Sequence, residues 1–477
     1  MSHSTTATLD TVADDTRATT TTSADTRSTP TPANNQLPTV RLCTAGSVDD
    51  GKSTFVGRLL HDTKSILSDQ YEAVQRSSEA RGLAEADLSL LVDGLRAERE
   101  QGITIDVAYR YFATDQRKFI LADCPGHEQY TRNTVTGMST ADVVILLIDV
   151  RNGVVRQTNR HATVAGLLGV PHVVVAVNKI DLVDYDEATL RTIEDQVAAL
   201  ADRAHLNDVR VVPISSLKGD NVVETSARTP WYTGPSIVEI LENIDDAVTV
   251  DDAATVDNAA DQALRLPVDY VIRDHDSEYR GFAGRIAAGS VGVGDEVTVT
   301  GGRTARITTL SIAGDPVEVP ARAVAGSSVS VELDTDIDLS RGALIAGTPH
   351  PATTNTVEAT IVHTSQRPLV VRRRLLLRYG AHTTKAQLLD IQGIIDVDSG
   401  KLLPTRPSEF NDEPVTTLES NELARVTIKT RDAIPFEPYQ PGGKIGSFLL
   451  IDDQTGDTVA AGLVLPREGQ QADSATA

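Results

Sequence analysis

The sequence predicts an α/β domain of the phosphate-loop (P-loop) kind, built on a doubly wound, mostly parallel sheet and followed by two small antiparallel β-barrels. Three observations predict it. The segment Gly46 to Ser53 (GSVDDGKS) closes the apolar run Val40 to Ala45 and fits the GxxxxGK[S/T] pattern at every defined position. Apolar runs at Phe119 to Ala122, Val143 to Ile148 and Val173 to Val177 each end in a loop before a helical stretch, as buried parallel strands covered by helices do. Beyond residue 263 the apolar period changes to two and Gly and Asp turns recur, the pattern of antiparallel barrels.

Residues 1–37 are dominated by Thr, Ser, Ala and Asp and are expected to be a disordered tail. The sheet domain is expected over 38–247, with a long helical segment from His61 to Glu100 that exceeds what closing the sheet requires. An acidic, weakly apolar stretch over 248–262 reads as a linker. The first barrel is placed at 263–350, where Val268, Tyr270 and Ile272 alternate with Asp269 and Arg273 and turns fall at Gly289, Gly294, Gly301 and Gly314. The second is placed at 351–466. There Val357, Ala359 and Ile361 alternate, and Ala424, Val426 and Ile428 oppose Arg425, Thr427 and Lys429. Residues 467–477 are a polar tail.

Composition excludes several classes. The 477 residues carry a net charge of −23, which repels phosphate backbones and disfavours general nucleic-acid binding. No apolar run approaches the ~20 residues needed to cross a bilayer, and MSHSTTATLD lacks the apolar stretch of a signal peptide, so a cytoplasmic protein is expected. Cys43 and Cys124 are the only cysteines, too few for a disulfide framework or metal cluster, and both read as reduced thiols.

The phosphate loop needs its residue types. Gly46 and Gly51 let the chain turn tightly enough for the backbone N–H groups of Gly46, Ser47, Val48, Asp49, Asp50, Gly51 and Thr54 to converge on phosphate oxygens. Lys52 reaches the β- and γ-phosphates, Ser53 ligates Mg²⁺, and the helix starting here points its positive end at the anion.

Four further segments narrow the ligand. Asn178-Lys179-Ile180-Asp181 follows a sheet strand, where the Asp181 carboxylate accepts from the N1–H and N2–H₂ of guanine; adenine would leave it unpaired. Asn178 contacts the other edge of the base and holds neighbouring loops, and the Lys179 stem covers its plane. Asp123-Cys124-Pro125-Gly126-His127 ends another strand: Asp123 would hold Mg²⁺ through water, Gly126 would approach the γ-phosphate, and His127 would orient the attacking water. Thr104, in GITI, is the hydroxyl expected to join Mg²⁺ only while a γ-phosphate is present. Ser215-Ser216-Leu217 could supply a backbone contact to guanine. Together these make the first domain a P-loop GTPase with GTP and Mg²⁺ as ligands and His127, Lys52 and Thr104 as its catalytic set.

With His after DxxG and two barrels following, the chain resembles the translation-factor class of GTPases. Within it, Gly46 to Ile66, Leu90 to Phe112, Phe119 to His161 and Val177 to Tyr185 look like the large, GTP-binding subunits of sulfate adenylyltransferase. The resemblance continues through Tyr279 to Val297 and Phe448 to Val464. It implies that GTP hydrolysis drives a separate small catalytic subunit, in a heterodimer, to form adenosine 5′-phosphosulfate and pyrophosphate from ATP and sulfate, the first step of sulfate assimilation. Only one phosphate loop is visible, in keeping with ATP being handled elsewhere. Some relatives carry a fused adenylylsulfate kinase domain, which this chain is expected to lack. Asp50 and Ser53 stand where elongation factors usually have His and Thr, and both favour this branch. Cys124 replaces a common Thr and Ser216 the usual Ala. The alternative is an elongation factor delivering aminoacyl-tRNA, for which Arg372 to Arg374 with Arg378 is the one basic cluster available.

Overall fold

The computed structural model describes residues 38–66, 68–80, 82, 86–92, 106–206, 208–244, 262–273, 279–312, 315–316, 322–406, 413–440 and 445–467. The expected tails and linker fall almost wholly outside them, as do Thr104 and Gly314.

The sheet has six strands, β1 (Thr39–Gly46), β2 (Ala108–Ala113), β3 (Lys118–Asp123), β4 (Val143–Asp149), β5 (His172–Asn178) and β6 (Asp208–Pro213), in the order β2-β3-β1-β4-β5-β6. Every pairing is parallel except β2 with β3. All of β4 is buried, because helices cover both faces and a run of Val, Ile and Leu is stable only there. One face packs Leu42, Leu147 and Val174 against Phe55, Val56 and Leu59 of α1 (Lys52–Asp62). The opposite face packs Leu146, Ile148 and Val175 against two later helices.

Those helices, taken after α2 (Ser68–Ala80) and α3 (Thr131–Met138), are α4 (Arg156–Leu168) and α5 (Glu187–Ala204). In α5, Leu190, Ile193, Val197 and Leu200 recur at helical spacing and are buried. The Asp186 side chain caps its first turn by accepting from Thr189 N, and His205 in the left-handed region ends it. The expected helical segment from His61 to Glu100, of which 93–100 lie outside the described residues, is divided: α1 ends at Asp62, Lys64 takes φ 57°, and α2 and a 3₁₀ turn at Leu88–Leu91 follow separately.

The strands over 265–346 form an antiparallel sheet around Leu266, Phe282, Val297, Ile307, Val331 and Ile345. Among the described residues its ladder path does not close on itself, and an isolated bridge joins Arg265 to Ala288. The alternation at Val268, Tyr270 and Ile272 does not place them on one buried face, since the Tyr270 side chain is 66% exposed. Val268 N bonds Ala343 O while Asp269 N bonds Ala283 O, so the chain switches neighbours between adjacent residues. That switch turns Val271 rather than Tyr270 toward the core. The strands over 354–464 do close: Thr354–His363, Arg374–Tyr379, His382–Ile395, Leu423–Ile434, Ser447–Asp452 and Thr458–Val464 each pair with two others of this set.

The closed barrel is fixed on two sides. Arg265 of the preceding sheet makes a bidentate pair with Glu437, Nε to Oε2 at 2.8 Å and an Nη to Oε1 at 2.8 Å. Val362, Val397 and Leu423 join the core beneath α4 and α5, Asn159 Nδ2 donates to Asp398 Oδ1 at 2.9 Å, and Tyr439 OH donates to Leu168 O at 2.7 Å. Among the described residues, no helix is long and apolar enough to cross a membrane.

Candidate nucleotide site

The carboxyl ends of β1, β3, β5 and β6 carry the four described loops singled out by sequence. β1 ends at Gly46 with φ 145°, and the chain turns through Asp49 (φ 64°) and Gly51 (φ 92°) into α1. A Cβ at Gly51 would lie 2.4 Å from Asn178 Nδ2, so close approach as well as backbone conformation requires glycine. Lys52 is buried, and its Nζ donates to Ser47 O at 2.6 Å and Gly46 O at 3.3 Å. Burial lowers its pKa, against the opposing pull of Asp50 and Asp123. The Asp50 carboxylate accepts from Ser47 N at 2.5 Å, and burial raises its pKa. Ser53 and Thr54 are half-buried and Val48 is exposed.

Asp123 is the last residue of β3, and its Oδ1 accepts from Thr44 Oγ1 at 2.8 Å. Cys124 and Pro125 are buried, and Thr134 Oγ1 donates to Pro125 O at 3.1 Å. A Cβ at Gly126 would lie 2.2 Å from Lys52 Nζ. The loop after Asp123 therefore backs directly onto Lys52, and His127 follows at the half-exposed start of a 3₁₀ turn over Glu128–Tyr130.

Asn178 ties three loops together. Its Nδ2 donates to Asp50 O at 2.8 Å, and its Oδ1 accepts from Lys179 N at 2.8 Å and Ser216 N at 2.9 Å. Lys179 takes φ 64°; its Nζ bonds Asp49 O and lies 2.9 Å from Asp149 Oδ2. Burial works to raise the Asp149 carboxyl, but hydrogen bonds from Arg151 and Lys179 outweigh it and hold the group well below the carboxylate range. Asp181 Oδ1 accepts from Ser215 Oγ at 2.6 Å, and Ile180 is buried beneath it. Arg58 donates to Ser216 O at 3.1 Å and Leu217 O at 2.5 Å, anchoring a loop whose Leu217 side chain is exposed.

Sequence reasoning missed several supports. His161 on α4 is buried, and its Nδ1 accepts from Gly46 N at 3.1 Å. Burial, with Lys52 and Arg160 nearby, pushes its pKa down to about 3, so the ring is neutral; its Nε2 lies 3.0 Å from Gln157 Nε2. Gln157 and His161 fall four residues apart on one face of α4, the one signal the sequence held. Buried Arg160 extends from the same helix to Glu128 at 2.8 Å. Trp231, a loop residue without an expected role, donates from Nε1 to Tyr185 O at 3.0 Å and packs on the core beside α5.

The donor set suits a nucleotide triphosphate and a hard cation: converging amides, a buried ammonium, and the hydroxyl and carboxylate oxygens of Ser53 and Asp123. The basic cluster on the closed barrel is less available than expected, since Arg373 pairs with Asp452 and Arg378 Nε donates to Gly380 O at 3.3 Å.

Fold and loops define a GTPase of the P-loop class. Residues 37–250 match the Elongation factor Tu GTP binding domain, and residues 356–465 match the GTP-eEF1A C-terminal domain-like family. Sulfate adenylyltransferase subunit 1 of Laribacter hongkongensis is 42% identical over 437 residues, covering 90% of this chain and 85% of that protein. The protein of the same name from Alteromonas mediterranea is 42% identical over 435 residues, covering 89% and 86%. The Bifunctional enzyme CysN/CysC of Mycobacterium tuberculosis is 45% identical over 432 residues, covering 89% of this chain and 67% of that protein. The chain belongs to the sulfate adenylyltransferase subunit 1 family.

Proposed function

We propose that this chain binds GTP with Mg²⁺ across its four loops and hydrolyses it to drive a separate small catalytic subunit, which joins ATP and sulfate into adenosine 5′-phosphosulfate and pyrophosphate. The complex would be cytoplasmic. Within the chain, 38–247 would bind GTP, 263–350 and 351–466 would be the two β domains, 248–262 the linker, and 1–37 and 467–477 tails. The observation that carries the reading is the pairing of Asp181 with Ser215 beside a phosphate loop locked by Asn178, in a chain of this family.

The Asp181 carboxylate selects guanine, because its free acceptor capacity matches two adjacent N–H donors of that base. Lys52 neutralises charge on the β- and γ-phosphates, and the amides from Gly46 to Thr54 cradle them. Ser53, Asp123 through water and Thr104 would hold Mg²⁺, which when bound neutralises charge on the phosphate oxygens. His127 orients the attacking water, and Gly126 lets the backbone N–H reach the γ-phosphate. Hydrolysis must be biased by the partner's own reaction stage, since a GTPase that ran independently would transmit no free energy.

The test is pyrophosphate release from ATP and sulfate with the purified small subunit. Release stimulated by GTP only when both chains are present is the expected result. GTP-dependent protection of aminoacyl-tRNA, without stimulated pyrophosphate release, would overturn it.

A further inference from the structure

The two cysteines of the chain meet in the core behind the metal-side loop, with Cys43 Sγ and Cys124 Sγ 3.3 Å apart. Cys43 lies mid-strand in β1, in register with Ala122 of β3 on one side and Val144 of β4 on the other. Cys124 is the first residue beyond the ladder, which ends at Asp123. α3 covers both sulfurs through Gly137, where a Cβ would lie 2.3 Å from Cys124 Sγ and 3.2 Å from Cys43 Sγ. The absence of a side chain there is what leaves room for two thiols.

We propose that Cys43 and Cys124 are a reversible dithiol–disulfide site, oxidised by a hydroperoxide, and that closing the bond arrests the loop bearing Asp123, Gly126 and His127. A disulfide has S–S of about 2.05 Å, so the sulfurs must close by roughly 1.2 Å. Cys43 is held by ladders on both flanks, so the movement falls on Cys124. Gly126 lies two residues on, with its backbone against Lys52 Nζ, and a displaced Cys124 carries that contact with it. Thr44, beside Cys43, receives a hydrogen bond from Cys124 N at 3.4 Å and donates to Asp123 at 2.8 Å, so the same shift reaches the metal-side carboxylate.

The chemistry balances with one hydroperoxide. A thiolate sulfur attacks the peroxide oxygen, breaking the O–O bond to give a sulfenic acid and an alcohol, or water from hydrogen peroxide. The second thiol then attacks the sulfenic sulfur, forming S–S and expelling water. Two thiols are oxidised, one peroxide is reduced, and both thiol protons leave in the hydroxylic products.

The inference rests on the GTPase reading of the loop, and its test keeps the two separable. The full chain is treated with hydrogen peroxide; the intrachain disulfide is read by mass spectrometry, and GTP hydrolysis as phosphate release by the chain alone. A peptide joining Cys43 to Cys124, with hydrolysis falling about a hundredfold and returning with dithiothreitol, is expected. Cys43→Ala, and Cys43→Ser should the first fold poorly, should keep its hydrolysis through the same treatment. Failure to form the disulfide, an unchanged rate once it has formed, or equal inactivation of the Cys43 variants would each overturn the proposal, whether or not sulfate coupling holds.

Discussion

His161 Nδ1 accepts the N–H of Gly46 at 3.1 Å, so a helix 115 residues further along the chain holds the first residue of the phosphate loop. Replacing His161 with Phe leaves that buried N–H without its acceptor, a cost of about 1–3 kcal/mol. We expect a comparable loss of stability in chemical denaturation and weaker binding of a fluorescent GTP analogue. Unchanged stability and affinity together would show that the contact is incidental.

The same ring makes stability fall in acid. Its folded pKa of about 3 lies below the ordinary 6.5, so between those values the unfolded chain takes up the proton first. The contribution is flat above pH 6.5, reaches about 2 kcal/mol of destabilisation at pH 5, and levels off below the folded pKa. His161→Gln should flatten the melting-temperature profile between pH 6.5 and 5. An equally steep profile in that variant would assign the acid sensitivity elsewhere.

Asn178 carries hydrogen bonds to Asp50 O and from Ser216 N, joining loops separated by more than a hundred residues of chain. Asn178→Ala removes both and leaves buried backbone groups to find water. Affinity for GTP should fall about tenfold or more, read by equilibrium titration, since about 1.4 kcal/mol corresponds to that factor. Asn178→Asp should be little better, because a carboxylate cannot donate to Asp50 O. Full affinity in either variant would remove Asn178 from the loop-joining role.

These contacts mark where sequence reading works and where it stops. GSVDDGKS and NKID were legible as loops at strand ends because each motif lies in a few consecutive residues, and strands such as β4 because covered parallel strands need unbroken apolar runs. His161, Arg160 and Trp231 were not, because their partners lie 115, 32 and 46 residues away and only folding brings them together. The exposure of Tyr270 could not be read from its alternation, because a change of strand neighbour at Asp269 shifts a period-two pattern by one. The Cys43 and Cys124 contact was hidden for a related reason: residues 81 apart in sequence meet only through the β1 and β3 pairing.

Gly126 is a test of how closely two loops must approach. A methyl group there would lie 2.2 Å from Lys52 Nζ and 2.9 Å from Gly46 O, so Gly126→Ala must displace the lysine or the metal-side loop. Lysine ends are flexible, but this one is buried and bonded to two carbonyls. Hydrolysis should drop about a hundredfold, as for a comparable misplacement of a reacting group. GDP affinity should change less, since the β-phosphate cradle of Gly46 to Thr54 remains. A variant with the parent rate would mean that the loop relaxes without consequence.

The proposed role of His127 in orienting water predicts that its removal separates binding from chemistry. His127 lies just after Gly126 at the start of the 3₁₀ turn, half-exposed, with its ring 6.2 Å from that of Tyr130 in an edge-on arrangement. Among the described residues, none of the hydrogen bonds that shape the phosphate or base loops runs through its side chain, so its removal should spare them. His127→Ala is expected to lower GTP hydrolysis about a hundredfold or more, the scale for a positioned proton-handling side chain, with affinity for a non-hydrolysable GTP analogue within about threefold of the parent. Pyrophosphate release by the two-subunit complex should lose its GTP stimulation in proportion, because the water that drives the step is no longer oriented. Affinity falling as steeply as hydrolysis would make the ring a structural support of the site, and water positioning would then have to pass to another group on the loop.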